Sequence, residues 1–406
     1  MAAPPDPPRC RHFGRCGGCQ WQHVPYAGQL ERKRAALDAL FRAHASPSPV
    51  LPIPGDAHGM PWHFRHKSAF VFSPAGRSFV MGHFAAGGRD VIPVEECPVQ
   101  SARANRIAFR LRDELLAARV TAAGPDLSGV LRHVIVRTSA DEANAVAMLV
   151  VTRNAHALKR PVRALLASPD RPDGFFLNIH DTPSPYMVGR ETLRIDGRPH
   201  VRERVAGCAF LVSPTAFFQT NPAAAAILVD LVLAAVDEQA ADVLALYSGS
   251  GLFSLPLARR GHRVTAIEEN PRAVADARRN VDANGIPPRL VRLLTGRVER
   301  ELGALSGRRF DAVVLDPPRE GCAPAVIREV FGRLRPARAV YVSCGPEALA
   351  RELDTIVAEG YRVSALRPVD MFPHTAHVEV VAVLDRQRPP RSGSARMDSH
   401  RGNPRR

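Results

Sequence analysis

The chain is predicted to be an α/β protein whose carboxyl-terminal half forms a doubly wound, mostly parallel sheet with an antiparallel edge. Three observations predict it. From Cys208 onward, apolar strand-like runs alternate with helix-like runs over short loops, as when parallel strands are joined by helical crossovers. The last two apolar runs, Arg362–Val369 and Val378–Leu384, are separated by the loop Pro368–His377, too short for a helix. They are therefore predicted to pair antiparallel. Finally, Asp316-Pro-Pro-Arg319, Ser343-Cys-Gly-Pro346 and His377-Val-Glu379 each adjoin an apolar run, and the strand ends of an open sheet are where ligands gather.

The elements follow in order. Residues 1–62 hold a cysteine cluster and a basic amphipathic helix over Pro25–His44, ended by Ser-Pro-Ser-Pro. Residues 63–205 read as an α+β module. Phe64–Phe72 and Phe79–Phe84 flank a Pro-Ala-Gly-Arg turn, Val130–Thr138 and Ala145–Thr152 form a second hairpin, and Ser101–Val120 and Ala155–Leu166 are helical. Residues 206–385 carry the parallel sheet, with strands at Val243–Tyr247, Arg263–Ile267, Arg289–Leu294, Phe310–Leu315 and Ala339–Ser343 before the edge pair. Helices fit at Leu252–Arg260, Pro271–Asn284, Ala323–Leu334 and Pro346–Glu359. Residues 386–406, rich in arginine and without apolar periodicity, are predicted to be a disordered basic tail.

The net charge of +15 and pI of about 10.4 favour a polyanionic partner, although arginine-rich composition alone produces such a surplus. No apolar run is long enough to span a bilayer and the start shows no hydrophobic signal region, so a cytoplasmic protein without a membrane partner is expected. Seven unevenly spaced cysteines do not make a secreted disulfide framework. Cys10, Cys16 and Cys19 with the distant Cys97 could instead form a tetrathiolate site, and spacing alone leaves zinc and an iron–sulfur cluster both open.

Leu244–Gly251 is a strand running into a Gly-x-Gly turn (Gly249, Gly251) and then a helix, a geometry that brings backbone close to a ligand. Glu268 closes the next strand, where a carboxylate can accept both ribose hydroxyls. Ser254 replaces the third glycine of a dinucleotide fingerprint, which disfavours NAD and leaves S-adenosylmethionine as the better ligand. Tyr247 is placed either beside the cofactor or in the core; Glu269 is read as a solvated surface residue.

Cys344 lies between a strand and a helix N-terminus, a position that favours the thiolate. One methyl transfer in particular needs a thiolate. C5 of a pyrimidine is too weak a nucleophile until a thiol adds at C6, and a base must later remove the C5 proton. Cys344 and Glu379 meet that requirement. Cys208 and Cys322 read as small buried hydrophobes.

Phe217-Phe-Gln-Thr-Asn221, Tyr247-Ser-Gly-Ser-Gly251, Asp316-Pro-Pro-Arg319, Val342-Ser-Cys-Gly-Pro346 and Met371-Phe-Pro-His-Thr-Ala-His-Val-Glu379 recur in the order found in bacterial RNA (uracil-5)-methyltransferases. The chain resembles that family over residues 10–385. The resemblance implies a Rossmann-like class I methyltransferase domain, with S-adenosylmethionine held by Gln219, Tyr247, Glu268 and Asp316 together with the glycine turn. It makes Cys344 the nucleophile and Glu379 the proton acceptor. Through Cys16-Gly-Gly-Cys-Gln-Trp-Gln22 it also implies a [4Fe–4S] cluster on Cys10, Cys16, Cys19 and Cys97. The extra β-barrel RNA-binding domain of many relatives is expected to be missing, which shifts RNA contact to the central module and His63-Phe-Arg-His-Lys67. The expected partner is RNA, ribosomal (23S) rather than transfer RNA, bound by a monomer. The T-loop uridine of tRNA is the alternative target. A non-catalytic iron–sulfur RNA-binding protein on a methyltransferase scaffold is the rival of another class, prompted by departures from the family pattern: Ala245 for Asp, Ser248 for Cys and Gly345 for Asn.

Overall fold

The computed structural model describes residues 7–184, 187–305 and 307–387. The segment predicted as a disordered tail lies outside them from residue 388 on; Arg386 itself closes the last strand.

After the cysteine segment comes α1 (Tyr26–Leu40). A first mixed sheet follows, built from β1 (Lys67–Ala75), β2 (Ser78–Phe84), β3 (Val91–Pro93), β4 (Leu131–Thr138), β5 (Ala145–Val151), β6 (Gly174–Ile179) and β7 (Glu191–Gly197), in the order β3-β2-β1-β4-β5-β6-β7. Alternation along β1 turns Ser68, Phe70 and Phe72 into a core roofed by α2 (Ala102–Ala117) and α3 (Lys159–Leu166). Ser101 caps α2 by accepting the Ala104 N–H at 3.1 Å. The hairpin β8 (Val201–Val205) and β9 (Cys208–Val212) leads to α4 (Pro222–Ala235), capped by Asn221 with proline at its start.

The second sheet uses β10 (Asp242–Leu246), β11 (Arg263–Glu268), β12 (Val291–Thr295), β13 (Ala312–Leu315), β14 (Arg338–Ser343), β15 (Tyr361–Val369) and β16 (Glu379–Arg386). Its order is β12-β11-β10-β13-β14-β16-β15. β10 to β14 pair parallel, and β16 pairs antiparallel with both β14 and β15. The predicted antiparallel edge is present, with β16 inserted beside β14, so Ser343 and Val380 become direct partners. That insertion brings the start of β16 to the end of β14. Crossovers are α5 (Ser254–Arg259), α6 (Pro271–Ala283), α7 (Val298–Ala304), α8 (Pro324–Ile327, continuing as a π-helical stretch Arg328–Leu334) and α9 (Pro346–Ala358). Apolar cores cover both faces of the sheet, which is why its strands read as continuous rather than alternating apolar runs.

Candidate active site

The parallel strands all end at one edge of the second sheet, and the sequence-predicted residues meet there. A cavity of about 630 Å³ is lined by Gln219, Tyr247, Gly249, Glu268, Asp316, Cys344 and Glu379, among others. Of the predicted site residues on this sheet only Gly251 is not part of the lining. Its part is the turn: φ is +96°, and a Cβ there would stand 2.1 Å from Leu255 Cδ1. Tyr247 also has positive φ (+58°), an uncommon conformation for a bulky residue and one that cavities of this kind concentrate.

Glu268 ends β11 with one carboxylate oxygen accepting the Gly249 N–H at 2.9 Å and the other the Asn270 N–H at 2.8 Å. Each oxygen keeps a lone pair directed elsewhere. A hydroxyl-rich nucleoside fits such an acceptor, and the cavity has the size of a cofactor site. The residues present thus fit S-adenosylmethionine.

Three acidic groups share this buried space. Burial pushes Glu379 up to about 8, with Asp316 adding to the rise and Arg319 opposing it. Asp316 rises to about 7 through burial and the Glu268 charge. The Cys344 thiol rises to about 11, through burial first and then Glu379 and Asp316; Arg319 pulls it the other way. This corrects the expectation of a thiol activated by its helix. Cys344 does precede α9, but desolvation and two carboxylates outweigh the helix terminus.

Sequence reasoning missed part of the lining. Arg297 and Glu299 come from the start of α7, and Glu269, read as a solvated residue, sits on the rim and pairs loosely with Arg297 at 3.9 Å. Phe217 is 65% exposed at the mouth, a large apolar side chain with nothing covering it. Its position two residues before Gln219 in the quoted motif was the available signal. Arg319 donates toward His377 Nδ1 at 3.0 Å, which holds His377 beside the cavity as an acceptor. Gly345 is explained by contact: a Cβ there would lie 2.2 Å from the Arg319 carbonyl oxygen. The Asp-Pro-Pro-Arg turn packs directly on that glycine. Ala245 is buried in β10 between Ala266 and Val314.

Cys10, Cys16, Cys19 and Cys97 also converge, on a separate cavity of about 690 Å³ shared with Arg65 and Lys67. The predicted [4Fe–4S] cluster, and with it the expected amino-terminal iron–sulfur segment, is nevertheless not supported. Among the described residues no group of three or more His, Cys, Asp or Glu side chains is arranged to hold a metal ion. Burial pushes the Cys19 thiol up to about 11 and the Cys97 thiol up to about 12. His63-Phe-Arg-His-Lys67 is not an exposed basic strand either. His63 bonds the Gln100 carbonyl at 2.8 Å, His66 meets Thr138 Oγ1 at 3.0 Å, and Phe64 is in the core.

Residues 186–387 match the tRNA (uracil-5-)-methyltransferase family model. An uncharacterised RNA methyltransferase of Gloeobacter violaceus is 37% identical over 389 residues, 93% of this chain and 82% of that protein. Another, of Caldanaerobacter subterraneus subsp. tengcongensis, is 32% identical over 385 residues, 93% of this chain and 84% of the relative. Among solved structures, the Pyrococcus abyssi tRNA (uracil-54, C5)-methyltransferase in complex with S-adenosyl-L-homocysteine superposes with a TM-score of 0.75. It is 28% identical, and the match covers 90% of this chain and 85% of that one. Likeness of this length reaches far beyond a shared Rossmann-like sheet, and the chain belongs to the class I, S-adenosylmethionine-dependent RNA (uracil-5)-methyltransferase family.

Proposed function

We propose that the protein methylates C5 of a T-loop uridine in tRNA, with Cys344 as nucleophile and Glu379 as the base that removes the C5 proton. The observation that carries this reading is the meeting of Cys344, Glu379 and Asp316 with Gln219, Tyr247 and Glu268 in one cavity. Ribosomal RNA, the target expected from the sequence, is not favoured over tRNA, because the solved structure that aligns along 90% of this chain is a tRNA (uracil-54, C5)-methyltransferase. No helix among the described residues is long and apolar enough to cross a membrane, and action on tRNA fits a cytoplasmic enzyme.

The Cys344 thiol releases its proton to solvent and its sulfur bonds to uracil C6, moving the C5–C6 π electrons onto C5 and O4. S-adenosylmethionine, when bound, supplies the electrophilic methyl that C5 takes. Glu379 then accepts the C5 proton, the C–H electrons re-form C5=C6, and the Cys344 sulfur leaves as thiolate. Gln219, Tyr247, Gly249, Glu268 and Asp316 would hold the cofactor, with Gly251 shaping the turn. Arg319, on the turn beside Gly345, offsets negative charge on Cys344. Phe217 offers an apolar face at the mouth on which a flipped base can stack. Nucleoside mass spectrometry of tRNA and ribosomal RNA from a deletion strain tests the assignment. Loss of 5-methyluridine from tRNA alone is expected; loss from ribosomal RNA with tRNA unchanged would overturn the target.

A further inference from the structure

The loop before Glu379 is not held by the catalytic sheet alone; the first helix grips it. α1 buries Gln29, Lys33 and Leu37, so two of its three buried side chains are polar. Lys33 Nζ lies 2.5 Å from Asp370 Oδ1 and 3.1 Å from the Phe372 carbonyl oxygen, and both charged side chains are fully buried. Four residues earlier, Gln29 Oε1 accepts the His374 N–H at 2.7 Å, and Gln29 Nε2 lies 3.3 Å from His374 Nδ1. His374 Nε2 stands 2.8 Å from the Pro61 carbonyl oxygen, so it carries the ring proton and Nδ1 accepts from Gln29. The ring stacks on Trp62 at 4.3 Å, and the His374 carbonyl accepts the N–H groups of Gln20 and Trp21 at 2.8 and 3.0 Å. His374 is held at φ +64°.

Residues 370, 372 and 374 are thus fixed by groups more than three hundred positions away, a few residues ahead of Glu379. A buried ion pair contributes little to stability compared with apolar packing of the same volume, and its best-attested use is to fix one arrangement. Glu379 must meet the C5 proton within hydrogen-bond reach, so the arrangement that matters is that of its loop. We propose that Gln29 and Lys33 are positioning residues of α1 that set the loop carrying Glu379 and thereby the proton-removal step. The inference rests on Glu379 acting as the base.

Lys33→Met alone strands the Asp370 charge, so the measured variants are Lys33→Met/Asp370→Leu, which removes both charges, and Gln29→Leu. Melting curves, S-adenosylmethionine affinity, kcat and denaturant-resistant protein–RNA adduct on unsubstituted tRNA are read for each. We expect folded proteins with cofactor affinity within about twofold of wild type, because α1 supplies no group to that cavity. The kcat should fall about tenfold to a hundredfold, as for displacements near 1 Å, and methylated adduct should accumulate, as is also expected of Glu379→Gln, which lacks the base that frees the thiol. Unchanged kcat would overturn the inference, and so would a fall in kcat and cofactor affinity together without adduct. Wild type and Glu379→Gln serve as controls. If wild type formed no adduct on 5-fluorouridine tRNA, or Glu379→Gln none on ordinary tRNA, the covalent reading itself would fall and this inference with it.

Discussion

Removing the base should stabilise the protein that it disables. Glu379 is 3% exposed and carries no cation within salt-bridge distance among the described residues, and its pKa is raised from 4.5 to about 8. The folded chain therefore keeps a proton that the unfolded chain releases, and wild-type stability falls as pH rises from about 4.5 to about 8. Each tenfold change in that equilibrium is worth about 1.4 kcal/mol. At pH 5 the loss is under about 1 kcal/mol; at pH 7 it reaches about 3 kcal/mol, and above pH 8 about 5 kcal/mol as an upper figure. Glu379→Gln keeps the shape of the neutral acid and has no proton to lose. Its advantage over wild type should therefore grow with pH, to a Tm gain on the order of 5 °C at pH 7. The assay is thermal melting of both proteins, without cofactor, at pH 5, 7 and 8.5. A gap that stays constant across the three, or a variant less stable than wild type at pH 8.5, would refute the electrostatic argument.

Cys344→Ala should abolish methylation while leaving S-adenosylmethionine affinity within about twofold, since the thiol acts on uracil; turnover by that variant would remove Cys344 from the mechanism. The pH profile of kcat should rise through about pH 8 as Glu379 ionises, and that of kcat/KM should climb toward the Cys344 value of about 11. A plateau already reached at pH 6 would contradict both shifts. Gly345→Asn, which restores the residue usual in the family, should lower activity here, because its Cβ drives against the Arg319 carbonyl oxygen. Equal or higher kcat would show that the turn moves freely.

The second sheet and the convergence of the predicted residues on one edge of it were legible in the sequence because their signals are local. Parallel strands buried on both faces read as plain apolar runs, and Glu268, Asp316 and Cys344 stand at or just past their ends. What was hidden depends on partners distant in the chain. α1 reads as a basic amphipathic helix, yet its inward face is Gln29 and Lys33, sensible only beside His374 and Asp370. α4, apolar on nearly every side, offers no period to recognise. β7, exposed along most of its length, offers no apolar alternation. The thiol's position before a helix suggested a lowered pKa, but burial and the two carboxylates reverse the sign only once the sheet is assembled. The cysteine flanks resemble a cluster-bearing pattern, yet among the described residues no group of His, Cys, Asp or Glu side chains is arranged to hold a metal ion.

Covalent attack by Cys344 on a tRNA uridine is tested most directly with a tRNA transcript carrying 5-fluorouridine in the T-loop. Fluorine at C5 cannot leave as a cation, so base-assisted release of Cys344 is blocked after methyl transfer. After incubation with S-adenosylmethionine, denaturation and proteolysis, mass spectrometry should find the peptide containing Cys344 bonded to a methylated fluorouridine nucleotide, and no such species from Cys344→Ala. Full methylation of ordinary tRNA by an enzyme that forms no adduct on the fluorinated transcript, or an adduct mapped to another cysteine, would contradict the mechanism.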